Sequence, residues 1–222
     1  MKAQMKKYLL LTLALGLGNQ AYSQSLLELV EQQAFDQAAA MIVDGADVNE
    51  LSADGTTALH WAAYYGNAEL VIQLLRAEAN VDTRNDYGSS PMSEVATVGN
   101  LEILKLLLDA GADAESPNFE GQTALMAVAR TGNVEAAKLL LRKGANIHGQ
   151  ESWGGQTALM WAAARQHPEM VKFLIDNGAN VDERAIDRNW ERRVTAEPRV
   201  KEMFTGGFTP LLFAVREECL EC

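Results

Sequence analysis

The sequence predicts an all-α solenoid, a stack of helix-turn-helix units none of which folds alone. Two observations carry that prediction. Hydroxyl residues able to open a helix stand at Thr57, Ser90, Thr123 and Thr157, spaced by 33, 33 and 34 residues, and a fixed period of that size marks one supersecondary unit repeated. Within each period, apolar residues recur twice at helical spacing with turn residues between the runs. One period reads Leu125, Val128 and Ala129, then Gly132-Asn133, then Ala136, Leu139 and Leu140, then Gly144.

Each part of that unit has a physical role. Thr123 offers a hydroxyl to an orphan N–H at the start of the first, inner helix, and Leu125, Val128 and Ala129 share one face of it. Gly132-Asn133 breaks the helix, and Glu135 then sits favourably in the first turn of the second. Gly144 ends that second helix because it takes positive φ at little cost. A single hairpin of this kind leaves apolar surface on both flanks, whereas copies stacked side by side cover it.

Along the chain, the first 23 residues stand apart from the array. Lys2, Lys6 and Lys7 precede an uncharged apolar run from Tyr8 to Gly18, and Ala21-Tyr22-Ser23 has the small residues of a signal-peptidase site, the pattern of a secretory leader. The run is too short to span ~30 Å of hydrocarbon. The expectation is therefore an exported protein, periplasmic or extracellular, with residues 24–222 as one repeat domain. The chain's formal net charge is −11, and loss of the three leader lysines makes it more negative. That sign argues against nucleic acid and against anionic membrane surfaces, which need basic patches. No membrane insertion is expected after cleavage. No Gly/Ser-rich or Pro-rich linker divides the remainder, so a single monomeric domain is expected.

Residues 24–50 have the form of a degenerate first unit. Leu26, Leu27, Leu29 and Val30 suggest one helix, Phe35 to Val43 another, and Gly45-Ala46-Asp47-Val48-Asn49 the exit. In the second unit, the position that holds Gly45, Gly111, Gly144 and Gly178 elsewhere is Glu78. A left-handed glutamate there costs roughly 1 kcal/mol relative to glycine.

Thr57-Ala58-Leu59-His60-Trp61-Ala62-Ala63 and Thr209-Pro210-Leu211-Leu212-Phe213-Ala214 resemble the signature of the ankyrin repeat, and the resemblance covers nearly everything after residue 25. It implies β-turn fingers between the helix pairs, a concave groove lined by inner helices and finger tips, and recognition of a protein or peptide partner. It implies no cofactor, metal or catalytic residue. His60 falls at the family's histidine position, where the ring brackets loop backbone. By the same register, Tyr64 and Tyr65 point into the groove, as do Arg130 and Arg165, while Tyr87, Phe119 and Trp153 mark finger tips. Tyr, Trp and Arg are the residue types that dominate binding hot spots. Glu94 stands in a column otherwise held by Trp61, Ala127, Trp161 and Phe213. It is expected to reach solvent, to pair with Arg130, or to mark a basic contact from a partner.

The period fails between Thr157 and Thr209, where 52 residues contain an insertion at 183–205 with six basic and five acidic side chains and Trp190. Insertions between repeats map to loops, often on the binding side, so Trp190 joins the candidate contacts. The last unit opens at Thr209 and stops at Cys222, which suggests a fragment of a longer protein. Cys219 and Cys222 form C-x-x-C, leaving a second function class beside the binding scaffold: an accessory to an exported redox system.

Overall fold

The computed structural model describes residues 24–186 and 207–222. The leader, Trp190 and most of the 183–205 insertion lie outside the described residues. Among the described residues there are eleven helices and no strand, an all-α solenoid as the sequence predicts. They alternate in pairs: α1 (Leu26–Glu31) with α2 (Phe35–Val43), α3 (Ala58–Tyr64) with α4 (Ala68–Arg76), and α5 (Pro91–Val98) with α6 (Leu101–Asp109). Then come α7 (Ala124–Thr131) with α8 (Val134–Arg142), α9 (Ala158–Ala164) with α10 (Pro168–Asp176), and α11 (Pro210–Arg216). Each odd-numbered, inner helix packs on the next inner helix, and the even-numbered, outer helices pack on one another in a second layer.

Caps define the starts. Ser25, Thr57, Ser90, Thr123, Thr157 and Thr209 each accept an N–H from the residue three ahead, and Asn67, Asn100 and Asn133 do the same for α4, α6 and α8. The first unit lacks the T-x-L-H pattern but keeps the chemistry, because Glu28 reaches back to the Ser25 N–H at 3.2 Å. This is a reciprocal capping box.

Left-handed residues end the helices, two in each of the first five units and one in the sixth among the described residues. After the inner helices they are Gln33, Gly66, Gly99, Gly132, Gln166 and Glu218, and after the outer helices Gly45, Glu78, Gly111, Gly144 and Gly178. Gly132 has no room for a side chain, since a Cβ there would lie 2.7 Å from the His167 ring. The outer column is open, with nothing within 4 Å of a Cβ at Gly45, Gly111, Gly144 or Gly178.

Burial follows the two-layer arrangement. All six residues from Ala124 to Ala129 are buried, because α7 has an inner helix on each side and α8 behind it. The outer helices bury one stripe, such as Leu70, Val71 and Leu74 on α4 and Ile103, Leu104 and Leu107 on α6. These residues join one continuous core.

Polar bonds lock neighbouring units at the outer exits. The N–H of Asn80 donates to Asn49 Oδ1 (2.8 Å), that of Asp113 to Asp82 Oδ1 (2.9 Å), and that of Asn146 to Glu115 Oε2 (2.6 Å). Each acceptor is itself positioned by a turn two residues long, as when Asp82 N–H donates to Asn80 Oδ1 at 3.0 Å.

Glu78 has φ of 64° in the open outer column, and its side chain is exposed. Glu78→Gly removes the left-handed penalty without creating a void, so it raises stability by up to ~1 kcal/mol. The check is a urea midpoint that moves upward at unchanged slope.

Candidate functional site

The fingers are held from inside. In the third unit, Asn85 N–H donates to Ser89 O (3.0 Å), and Asn85 Oδ1 accepts from the N–H groups of Tyr87 (3.1 Å) and Ser89 (2.9 Å). Asn118 repeats this with Glu120 and Gln122 at 3.0 and 2.9 Å. In the fifth unit the holder is Glu151, a buried carboxylate that accepts from Trp153 (2.7 Å), Gly154 (2.8 Å) and Gln156 (2.9 Å). Charge-assisted bonds to several N–H groups compensate such burial. Neighbouring fingers are tied by Asp86 N–H to Asp54 O (2.8 Å), Ser152 N–H to Glu120 O (2.6 Å) and Ile186 N–H to Gly154 O (2.7 Å). With the inside occupied by the holder, the tip side chains turn outward.

The outward residues are Tyr64, Tyr87, Phe119 and Trp153, exposed by 49, 71, 71 and 66% respectively. Phe119 lies over the neighbouring finger, where a Cβ on Gly88 would come within 2.7 Å of its ring. Trp153 is further engaged by its own backbone bond to Glu151.

Tyr65 is placed differently from its neighbour. Its ring stacks on Trp61 (centroids 5.6 Å apart, planes at 17°), meets Phe35 edge-on at 6.1 Å, and its hydroxyl donates to Glu31 O at 3.0 Å. It is a half-buried tie between the first and second units, where register with the family points it into the groove. The reason is the first unit: Phe35 and Glu31 offer a surface and an acceptor that the repeat signature does not encode.

Glu94 is half-buried and accepts from Ser89 Oγ at 2.5 Å. Among the described residues it has no ion pair, and the expected pairing with Arg130 is absent. Arg130 lies over the Trp161 ring at 5.7 Å instead. Arg165, the residue that closes α9, is exposed. Trp190 lies outside the described residues.

His60 brackets backbone as the resemblance implies. Its Nδ1 accepts from Thr57 N–H at 3.1 Å, and its Nε2 bonds Ser89 O at 3.0 Å, which assigns the neutral Nε2–H tautomer. Burial pushes its pKa below the ordinary 6.5, against the pull of the Ser89 carbonyl and of the Glu94 and Asp54 carboxylates. Asp54 itself is held below the usual carboxylate range by the Ser52 hydroxyl and the Thr56 N–H.

Two adjoining cavities open between the inner helices and the fingers. One, of 320 Å³, is bordered by Asp54, Trp61, Tyr64, Tyr87 and Glu94, and the other, of 300 Å³, by Tyr87, Ser89, Glu94, Thr97 and Gln122. The structure thus brings Tyr64, Tyr87 and Glu94 together, while Phe119, Arg130, Trp153 and Arg165 border neither cavity. Asp54, Asn85 and Glu151 belong to this surface and were not singled out from the sequence. The recurrence of Asn at 85 and 118, one period of 33 apart, was the available signal for the first holder.

At the other end, Cys219 and Cys222 are joined in a disulfide and pack against the end of the core. Among the described residues no group of three or more His, Cys, Asp or Glu is arranged to hold a metal ion, and no helix is long and apolar enough to cross a membrane.

The family comparison agrees with this geometry. Residues 20–118 and 94–185 match the model for ankyrin repeats (3 copies), and residues 159–222 match that for ankyrin repeats (many copies). The chain belongs to the ankyrin-repeat family. No curated protein matches it. Ankyrin repeats generally mediate protein–protein interaction and are typically non-enzymatic, so an ankyrin array of this kind has protein partners.

Two variants test the placements. Tyr65→Ala removes a stacked ring, an edge contact and a hydroxyl bond, and lowers stability by ~1–3 kcal/mol. A melting temperature equal to the parent's would show the tie to be idle. His60 with a depressed folded pKa stabilises fully above the unfolded value of 6.5, and that contribution is lost as pH falls below it toward the folded pKa. Met126 and Met160 fill the equivalent place, so in His60→Met the stability should decline less between pH 7 and 5 than in the parent, as read by denaturant midpoints.

Proposed function

We propose that this ankyrin-repeat chain is a non-enzymatic scaffold, exported to the periplasm or extracellular space, that binds a protein or peptide partner through its groove and fingers. One observation carries the reading. Tyr64, Tyr87, Phe119 and Trp153 present aromatic surface outward along the fingers and inner helices, next to cavities that Tyr87 and Glu94 share. Large exposed aromatics on one side of a protein mark interaction surfaces. The leader pattern of the first 23 residues and the Cys219–Cys222 bond support the compartment, since disulfides persist where the environment is oxidising.

Tyr87→Ala and Trp153→Ala are each expected to weaken partner binding by ~1–3 kcal/mol with the melting temperature nearly unchanged. The partner is obtained by affinity purification from the extracytoplasmic fraction. Lys138→Glu, on the outer helix α8, serves as the control and should leave binding alone. Loss of binding in the control but not in the finger variants would put the site on the other face.

Export has its own test. The mature chain should begin close to residue 24 when recovered from outside the cytoplasm. Intact mass measurement finding the protein in the cytosol with Met1 retained would overturn that part.

A further inference from the structure

We infer that the cavity between Asp54 and Glu94 receives an arginine side chain of the partner. The inference rests on the binding-scaffold reading and narrows the partner's chemistry.

The argument starts from a column of the repeat. Trp61, Trp161 and Phe213 occupy equivalent places on α3, α9 and α11. Arg130 lies 5.7 Å from the centroid of Trp161, and Arg216 lies 5.0 Å from that of Phe213. The protein therefore covers two of these three rings with a guanidinium of its own. Over the third, Trp61, no arginine or lysine lies among the described residues. One face of Trp61 is taken by Tyr65, and Tyr64 makes a T-shaped contact with it at 6.1 Å with the planes at 82°.

Charge points the same way. Asp54 and Glu94 border this cavity, neither has an ion pair among the described residues, and no Lys or Arg borders either cavity. The bonds from Ser52 and Thr56 keep Asp54 anionic. His60, also on the cavity, is neutral and consumed by its backbone bonds. A site with two carboxylates that lack a cationic partner among the described residues, beside the exposed residues Tyr64 and Tyr87, favours a cation, and a planar guanidinium uses both features at once. The volume of 320 Å³ is at the bottom of the range for small-molecule pockets and suits one side chain rather than a cofactor. Beside it, Ser89, Thr97 and Gln122 line the second cavity with hydrogen-bonding groups for the flanking peptide.

The test selects random twelve-residue peptides displayed on phage against the full chain, then measures the enriched peptides by fluorescence anisotropy. The expected result is that they share an arginine whose replacement by citrulline, uncharged and nearly isosteric, lowers affinity roughly tenfold or more. On Glu94→Gln that replacement should cost less than on the parent, because one of the two carboxylates coupled to the guanidinium is gone. Affinity should also fall as salt rises. Selected peptides without arginine, or a citrulline penalty equal on parent and Glu94→Gln, overturn the arginine site while leaving the groove reading intact. Binding lost in Lys138→Glu but kept in Tyr64→Ala and Tyr87→Ala, or no enrichment at all, overturns both. If Glu94→Gln fails to fold, Tyr64→Ala takes its place in the same comparison.

Discussion

A helix pair with apolar surface on two flanks must be covered by a copy of itself, and every other feature of this molecule follows from that requirement. Inner helices such as α7 are buried on all sides only because α5 and α9 stand against them. The faces pressed between neighbouring inner helices leave little space, which accounts for the small residues Ala58, Ala62 and Ala63 on α3, Ala124 and Ala129 on α7, and Ala158, Ala162 and Ala163 on α9. It also fixes the period, since a unit of different length would misalign the flanks that must meet. Stability in such an array comes from each unit's own folding and its contacts with the next.

Polar chemistry settles how the units meet. Backbone N–H groups at turns are the donors that stacking would otherwise strand, and in this protein carboxylates and amides on the preceding unit accept many of them. Asp82 and Glu115 are of this kind, while Asn118 and Glu151 accept from the N–H groups of their own fingers. Part of the acidity is therefore structural, committed to turns and fingers, and is distinct from the carboxylates that face the groove. Asp54 does both, being bound to its own loop and open to the cavity.

The fold was legible in the sequence because period, cap and turn signals coincide. The left-handed Glu78 could be located by comparing one column across units. The same comparison made at the inner turns would have found Gln33, Gln166 and Glu218, which share the column of Gly66, Gly99 and Gly132. The candidate surface was legible in part. Tyr87, Phe119 and Trp153 are at the tips that the register gives them, but Tyr64 and Tyr65, adjacent in sequence, part company. A helix turns the side chain by about 100° per residue, and which of two neighbours packs is decided by Phe35, a residue of the irregular first unit. Glu94 likewise found its partner in Ser89, a loop residue five positions back, and Arg130 found an aromatic face. Pairings of that sort depend on distances that no column alignment contains.

The ladder at the outer exits runs from Asn49 through Asp82 to Glu115 and then meets His148. Among the described residues His148 accepts no N–H from Asn180, and the fourth and fifth units are joined there by Gln150 Nε2 to Glu183 Oε1 at 2.7 Å. A side-chain bond between exposed groups constrains less than one anchored on backbone. The insertion follows this step in the sequence, and its described start, through Ile186, is still bonded to the neighbouring finger. The backbone-anchored ladder at the outer exits thus joins the first four units and gives way to a side-chain bond at the fifth. Chain length can be added beyond the ladder at the modest entropic cost of a longer loop, without misaligning the stitches already made.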